Sequence, residues 1–194
     1  MRINLPNFLT LSRVAFIPVL VVVFYVPFKY HLIAAASIFT LASITDAIDG
    51  YVARRLGQIT QFGAFLDPVA DKLMVAVALI LLVERHDSIY FTLPASVIIG
   101  REIVISALRE WMAELGKGAS VAVSYIGKVK TGLQMTAIVL FLAVDDFLLF
   151  LPNGTSIWIQ MFCYALLYGA AILTLWSMII YLQAAMLEFE AEDG

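Results

Sequence analysis

The sequence has few charged residues for its length and very few cysteine and histidine residues. Only 14% of its 194 residues are charged, whereas 62% are hydrophobic; soluble domains average about 25% charged and about 45–50% apolar residues. It contains one cysteine, Cys163, and two histidines. A single cysteine excludes an intrachain disulfide, and the composition as a whole favours a membrane protein over a soluble domain.

The hydrophobic residues are grouped into six apolar stretches that approach the roughly 20 residues a membrane-spanning helix needs. They cover about 14–28, 31–50, 64–84, 88–108, 131–151 and 156–182. No linker, low-complexity tract or internal repeat separates them, so we predict a single domain. The predicted fold is an all-α polytopic membrane protein with a six-helix transmembrane bundle over residues 14–182 and an acidic cytoplasmic tail over 183–194.

The N-terminal residues 1–13 have a different pattern. Pro6 suits the first turn of a helix, and Asn7, Thr10 and Arg13 fall on one face of it. This pattern predicts an interfacial amphipathic helix, whose polar side chains either anchor it or reach a nucleotide or lipid headgroup. A cleaved signal peptide is the alternative, but cleavage near Ala36 would remove the first turns of the following span.

The basic residues orient the predicted bundle. If six spans alternate, ten of the twelve Lys and Arg residues lie on one side, and only Lys29 and Arg85 lie on the other. By the positive-inside rule, that side is cytoplasmic and holds both termini. The ten residues are Arg2, Arg13, Arg54, Arg55, Lys72, Arg101, Arg109, Lys117, Lys128 and Lys130.

Four aspartates interrupt the apolar pattern at the cytoplasmic ends of the second and third spans. Asp46 and Asp49 are three residues apart, and Asp67 and Asp71 are four apart, so each pair shares a helix face. We call these four residues the acidic motif. Antiparallel neighbouring helices would bring the two pairs together, and oxygen ligands without His or Cys favour Mg²⁺, Mn²⁺ or Ca²⁺ over zinc. Four carboxylates are enough for two ions, an arrangement used in phosphoryl transfer.

The residues between the acids favour a phosphate ligand. Gly50, Ala53 and Gly63 leave room for a bulky group near the backbone, and Arg54 supplies a cation suited to a phosphate. Three other interpretations are a structural ion-paired cluster, solvated helix ends, and the ion site of a divalent-cation transporter. Transporter sites usually lie near the bilayer midplane between repeats, and this chain has neither feature.

The spacing of these residues resembles the signature of the CDP-alcohol phosphotransferase family, D-x-x-D-G-x-x-A-R-x(8)-G-x(3)-D-x(3)-D. All eight fixed positions are present: Asp46, Asp49, Gly50, Ala53, Arg54, Gly63, Asp67 and Asp71. The resemblance extends to residues 4–13, 65–72, 101–116 and 127–131. It implies the six-span fold, a homodimer and a place in the bacterial inner membrane, with the active site cytoplasmic and no nucleic-acid partner.

The resemblance also implies a reaction and roles for residues. CDP-diacylglycerol would donate a phosphatidyl group to glycerol 3-phosphate, with inositol phosphate, serine or phosphatidylglycerol as alternative acceptors. Two Mg²⁺ or Mn²⁺ ions would be held by Asp46, Asp49, Asp67 and Asp71. Asp71 would be the general base and Asp67 the second catalytic residue. The CDP-diacylglycerol pocket would also include Gly50, Ala53, Arg54 and Gly63.

A phosphorylated acceptor needs cations of its own. Four basic residues fall at the cytoplasmic ends of the fourth and fifth spans or between them: Arg109, Lys128, Arg101 and Lys130. Arg suits bidentate phosphate contacts and Lys a point-charge contact. We predict Arg109 and Lys128 as the first phosphate ligands, with Arg101 and Lys130 next; each could instead contact lipid headgroups. Glu102 is expected to hold Arg101 or Arg109 in place.

Overall fold

In the described part of the computed structural model, all regular secondary structure is α-helix, joined by short connections such as residues 26–30 and 87–88. The structure describes the backbone of residues 5–56, 61–114, 125–148 and 155–193, and the side chains of residues 11–45, 66, 68–114, 127, 129–148 and 157–186. Six helices follow one another in this part: α1 Leu5–Tyr25, α2 His31–Leu56, α3 Gln61–His86, α4 Ile89–Glu114, α5 Tyr125–Leu148 and α6 Thr155–Asp193. The predicted all-helical class and the order of the six helices are confirmed.

The structure has continuous helix at both places where the sequence pattern predicted a boundary between segments, near residues 13 and 182. The N-terminal interfacial helix is not separate from the first span, since α1 runs unbroken from Leu5 through Arg13 to Tyr25. Pro27 follows and disfavours helical geometry in the residue before it. At the other end, α6 continues through the acidic tail to Asp193, because the intervening residues are good helix formers and the next glycine is Gly194.

The helices group into two compact units. The first comprises Met1–His86 with Ile138–Gln160, and the second comprises Asp87–Ala137 with Met161–Gly194. In the first unit, α1 packs against α2 and α3, and α2 contacts α3. Its buried side chains include Leu20, Phe39, Leu79, Leu82 and Phe141.

A carboxylate from α5 fixes the start of α2 within the first unit. The Asp146 side chain is buried, and its Oδ2 accepts hydrogen bonds from the backbone N–H groups of Leu32 at 2.9 Å and Ile33 at 3.2 Å. These donors belong to the first turn of α2, where the helix itself offers no acceptor. The neighbouring Asp145 binds Arg85 at 2.8 Å. This polar layer joins three helices at the end of α2 opposite the acidic motif.

The second unit has its own core, formed by α4, the first half of α5 and most of α6. Phe91, Ile98 and Ile105 are fully or almost fully buried on α4. Towards the end of α4, Ile105 and Met112 form a cluster with Tyr181 and Ala185 of α6. This cluster places one face of α6 against the part of α4 that carries Arg101 and Arg109.

Three helical segments in the described part of the chain are long and apolar enough to cross a membrane. They are Ile89–Glu114, Val129–Leu148 and Ile157–Met186, of 26, 20 and 30 residues. Large apolar side chains such as Ile103, Trp158 and Trp176 are exposed on them, as expected of helices whose outer faces meet lipid. The segments Leu11–Tyr25 and His31–Thr45 are apolar but shorter.

Candidate active site and acceptor site

The acidic motif lies on the two helices that the sequence predicted for it. Asp46 and Asp49 belong to α2, and Asp67 and Asp71 belong to α3. The helical backbone at both pairs is therefore confirmed, and α2 and α3 contact each other within one unit. Of the eight signature residues, Asp71 alone lies among the described side chains; the other seven lie outside them: Asp46, Asp49, Gly50, Ala53, Arg54, Gly63 and Asp67.

Asp71 is partly buried on α3, and Ala70 and Met74, close to it along the helix, are buried. The described side chains contain no group of three or more His, Cys, Asp or Glu residues that could hold a metal ion. Only one aspartate of the acidic motif, Asp71, is among these described side chains. The donor chemistry of the motif still fits a hard divalent cation, since all four candidate ligands are carboxylates. The fit to a divalent cation rests on the residue type of the four ligands and on their positions along α2 and α3.

Arg13 is the described member of the N-terminal polar face. Its side chain is 2% exposed, within the first unit. A buried guanidinium does not anchor a helix by lying among lipid headgroups, because that role requires exposure. The burial of Arg13 therefore argues against simple anchoring, and its other expected role, reaching a nucleotide or lipid headgroup, stays a prediction. The Asn7 and Thr10 side chains lie outside the described residues.

The second unit brings three of the four predicted acceptor-site cations together with one carboxylate. We call Arg101, Glu102, Arg109 and Lys130 the basic cluster. Arg101 is 6% exposed and Lys130 is 4% exposed. The Glu102 Oε1 atom accepts from Arg101 Nη1 at 3.2 Å and also from Lys130 Nζ. The expected contact of Glu102 with Arg101 is confirmed, and the same carboxylate joins α4 to α5.

Residues of α6 complete the surroundings of the two arginines. Arg101 Nη2 donates to Ser177 Oγ at 2.8 Å, and Arg109 Nη2 donates to the hydroxyl oxygen of Tyr181 at 2.9 Å. Both guanidiniums also lie over the Tyr181 ring, with Cζ to centroid distances of 5.5 Å for Arg101 and 4.9 Å for Arg109. The cluster itself belongs to α4 and α5, and α6 supplies the side chains that contact its arginines. Lys128, the remaining predicted acceptor-site cation, has a side chain outside the described residues.

The basic cluster has unused hydrogen-bond donors and excess positive charge. Within the described side chains, the buried Nε atoms of Arg101 and Arg109 have no hydrogen-bond partner. The four residues comprise three cations and one carboxylate, which gives them a net charge of +3 − 1 = +2 at neutral pH. Buried charges are usually paired, so the basic cluster is a candidate site for an anionic ligand.

Sequence reasoning missed Ser177 and Tyr181. A weak signal was available, because Thr174, Ser177 and Tyr181 recur at helical spacing on one side of an otherwise apolar helix. All three are buried. A stripe of polar side chains on a membrane helix usually faces the protein interior, and here it faces the arginines of α4.

Comparison with known proteins agrees with the acidic signature. Residues 3–187 match the CDP-alcohol phosphatidyltransferase family. The chain belongs to this family. Membership covers nearly the whole sequence, including both units, and it sets aside the cation-transporter alternative.

Individual relatives within the family are close and nearly full-length. The CDP-diacylglycerol–glycerol-3-phosphate 3-phosphatidyltransferase of Salmonella choleraesuis (strain SC-B67) is 56% identical over 185 residues, which cover 95% of this chain and 96% of the relative. The proteins of the same name from Shigella flexneri and Escherichia coli (strain K12) are each 55% identical to this chain over 185 residues, again 95% of this chain and 96% of the relative.

Proposed function

We propose that this protein transfers the phosphatidyl group of CDP-diacylglycerol to glycerol 3-phosphate, forming phosphatidylglycerol phosphate and CMP. Support comes from family membership, from relatives of that name with more than half of their residues identical, and from the complete acidic signature. The basic cluster is the observation in the structure that points to the acceptor.

The charge of the basic cluster fits a phosphomonoester. Such a group carries about −1.5 to −2 charges near neutral pH, which balances the +2 of Arg101, Arg109, Lys130 and Glu102. The two unpartnered Nε donors can bind phosphate oxygens, and charge-assisted hydrogen bonds of this kind are stronger than neutral ones. A neutral or zwitterionic acceptor such as serine would leave part of this buried charge uncompensated.

The acidic motif is the proposed site of chemistry. Two Mg²⁺ or Mn²⁺ ions held by Asp46, Asp49, Asp67 and Asp71 would supply positive charge that stabilises the diphosphate of the CDP-lipid. Arg54 is proposed to contact the same diphosphate, and the small residues Gly50, Ala53 and Gly63 to leave space for it.

The proposed reaction is a substitution at the β-phosphorus of CDP-diacylglycerol. A hydroxyl oxygen of glycerol 3-phosphate forms the new P–O bond, the bond to the CMP oxygen breaks, and Asp71 accepts the hydroxyl proton. Asp71 lies one turn beyond Asp67 on α3. Asp71 can therefore act on the acceptor hydroxyl while Asp67 remains on the side of CDP-diacylglycerol. General-base assistance of this kind contributes typically about 10²–10⁴-fold to a rate.

We also propose a single six-span domain in the bacterial inner membrane, as a homodimer. The basic residues favour a cytoplasmic location for both termini and for the acidic motif. The first turns of α1 would lie at the cytoplasmic headgroup layer. Glycerol 3-phosphate and CMP could then enter and leave directly from the cytosol.

The match between cluster charge and ligand charge can be tested with purified protein. Glycerol 3-phosphate, its monoanionic phosphate methyl ester and glycerol are compared as acceptors with CDP-diacylglycerol and Mg²⁺. We expect the kcat/KM for CMP release to fall in that order, by at least tenfold at each step. Equal use of glycerol and glycerol 3-phosphate would contradict the proposal.

A further inference from the structure

The Tyr181 side chain connects the two arginines of the basic cluster. Its ring is 4% exposed and lies against both guanidiniums, at 5.5 Å from Arg101 and 4.9 Å from Arg109, measured from Cζ to the ring centroid. Its hydroxyl oxygen accepts from Arg109 Nη2 at 2.9 Å. A single aromatic residue therefore contacts two like charges at once.

The geometry of α4 explains why such a residue is useful. Arg101 and Arg109 are eight residues apart, which corresponds to a rise of about 12 Å along the helix. The two long side chains must bend towards each other to bind one phosphate, and their charges repel. The negative face of an aromatic ring attracts a guanidinium. The Tyr181 ring can therefore attract both guanidiniums and offset part of the repulsion between them.

The hydrogen bonds on α6 fix each guanidinium through one terminal nitrogen. Tyr181 holds Nη2 of Arg109, and Ser177, one turn earlier, holds Nη2 of Arg101. Ser177 is itself fixed, because its hydroxyl donates to the Thr174 carbonyl oxygen at 3.0 Å. The Nε donors of both arginines have no partner within the described side chains. The Nη2 atom of each arginine is therefore held by α6, while its buried Nε–H still needs an acceptor, which a phosphate oxygen could supply.

We propose that Tyr181 is a positioning residue that sets the selectivity for a phosphorylated acceptor. It orients Arg101 and Arg109 before the ligand arrives, so that less conformational freedom is lost when phosphate binds. This inference rests on the proposed function, since it assigns Tyr181 to the acceptor side of that reaction. Tyr181 acts through the arginines and takes no part in the transfer step.

Two substitutions separate the hydroxyl from the ring. Tyr181→Phe removes the hydrogen bond to Arg109 and keeps the ring, so we expect the KM for glycerol 3-phosphate to rise about 5- to 10-fold. Tyr181→Leu also removes the cation–π contacts, and we expect a rise of about 30- to 100-fold. The KM for CDP-diacylglycerol should stay within about twofold of the wild-type value in Tyr181→Phe.

Tyr168→Phe is the matched control. Tyr168 is another tyrosine of α6, and its hydroxyl donates to the Tyr90 carbonyl oxygen at 3.0 Å, within the same unit and away from the arginines. It loses a hydrogen bond of similar length but should keep both KM values. A second measurement, the rise in thermal midpoint caused by glycerol 3-phosphate alone, reports acceptor binding without turnover and should be smaller for Tyr181→Phe than for Tyr168→Phe.

The outcomes distinguish this inference from the proposed function. If the wild-type protein does not use glycerol 3-phosphate, the proposed function fails. If it does, and Tyr181→Phe matches Tyr168→Phe in both measurements, only the role of Tyr181 is overturned. Equal increases in both KM values would also overturn it, because they would show a general structural effect. Since Tyr181→Phe keeps the packing of the ring, the test does not depend on the folding of Tyr181→Leu.

Discussion

Replacing Glu102 with Gln should destabilise the protein and make its stability depend on anions. Glu102 is the carboxylate that neutralises Lys130 and Arg101, both of which are almost fully buried. Removing one partner of a buried pair costs about 3–5 kcal/mol. Glu102 is 22% exposed, and Gln keeps a hydrogen-bond acceptor, so we expect a smaller loss of about 2–3 kcal/mol.

This loss can be measured as a thermal midpoint in detergent. For a chain of this length, each kcal/mol corresponds to about 2–4 °C, so the midpoint of Glu102→Gln should fall by about 5–10 °C without ligand. A ligand at a hundred times its Kd stabilises by about 2.7 kcal/mol. Saturating glycerol 3-phosphate should therefore restore most of the loss, because its charge takes the place of the missing carboxylate.

Comparing the ligand-induced midpoint shifts of Glu102→Gln and the wild-type protein tests whether the basic cluster binds an anion. The cluster charge rises from +2 to +3 in the variant, so glycerol 3-phosphate should raise its midpoint more than it raises that of the wild-type protein. Glu110→Gln, an exposed position on the same helix, is the control for the change in net charge and should behave as wild type. Identical midpoints and identical ligand shifts in Glu102→Gln and wild type would refute the anion-site interpretation of the cluster.

Three further substitutions test other parts of the account. Asp71→Asn should lower kcat by about 10²-fold or more while CDP-lipid and metal binding survive in part; wild-type turnover would exclude Asp71 as the base. Lys128→Ala should raise the KM for glycerol 3-phosphate far more than that for CDP-diacylglycerol, with Lys117→Ala as a control, and equal effects would argue against a phosphate contact. Asp146→Asn should lower stability by about 1–3 kcal/mol, seen as a lower thermal midpoint; an unchanged midpoint would mean that the cap on α2 contributes nothing.

The sequence predicted the helices well because their apolar residues are contiguous. Six helices occur in the expected order, and the acid pairs lie on α2 and α3 as their spacing indicated. Boundaries were harder to predict. Nothing between Arg13 and Val14 stops a helix, so α1 is continuous, and the acidic tail consists of helix-forming residues that extend α6.

The acceptor-site cations were predictable from charge, but their partners were not. Arg101, Arg109 and Lys130 stand out in apolar surroundings, whereas Tyr181 is one of eight tyrosines in the chain and its contacts depend on how α6 packs against α4. Asp146 illustrates the same limit. It lies within α5 and binds the first turn of α2, 114 residues away in sequence, and nothing in the sequence pattern indicates that contact.

The most direct test of the proposed activity is the identity of the lipid formed when several acceptors compete. Purified protein receives CDP-diacylglycerol and Mg²⁺ or Mn²⁺ with equal concentrations of glycerol 3-phosphate, inositol phosphate and serine, and the products are identified by mass spectrometry. We predict phosphatidylglycerol phosphate as the main lipid product, with one CMP released for each molecule formed. Phosphatidylserine or phosphatidylinositol phosphate as the main product, or CMP release without a new lipid, would contradict the account.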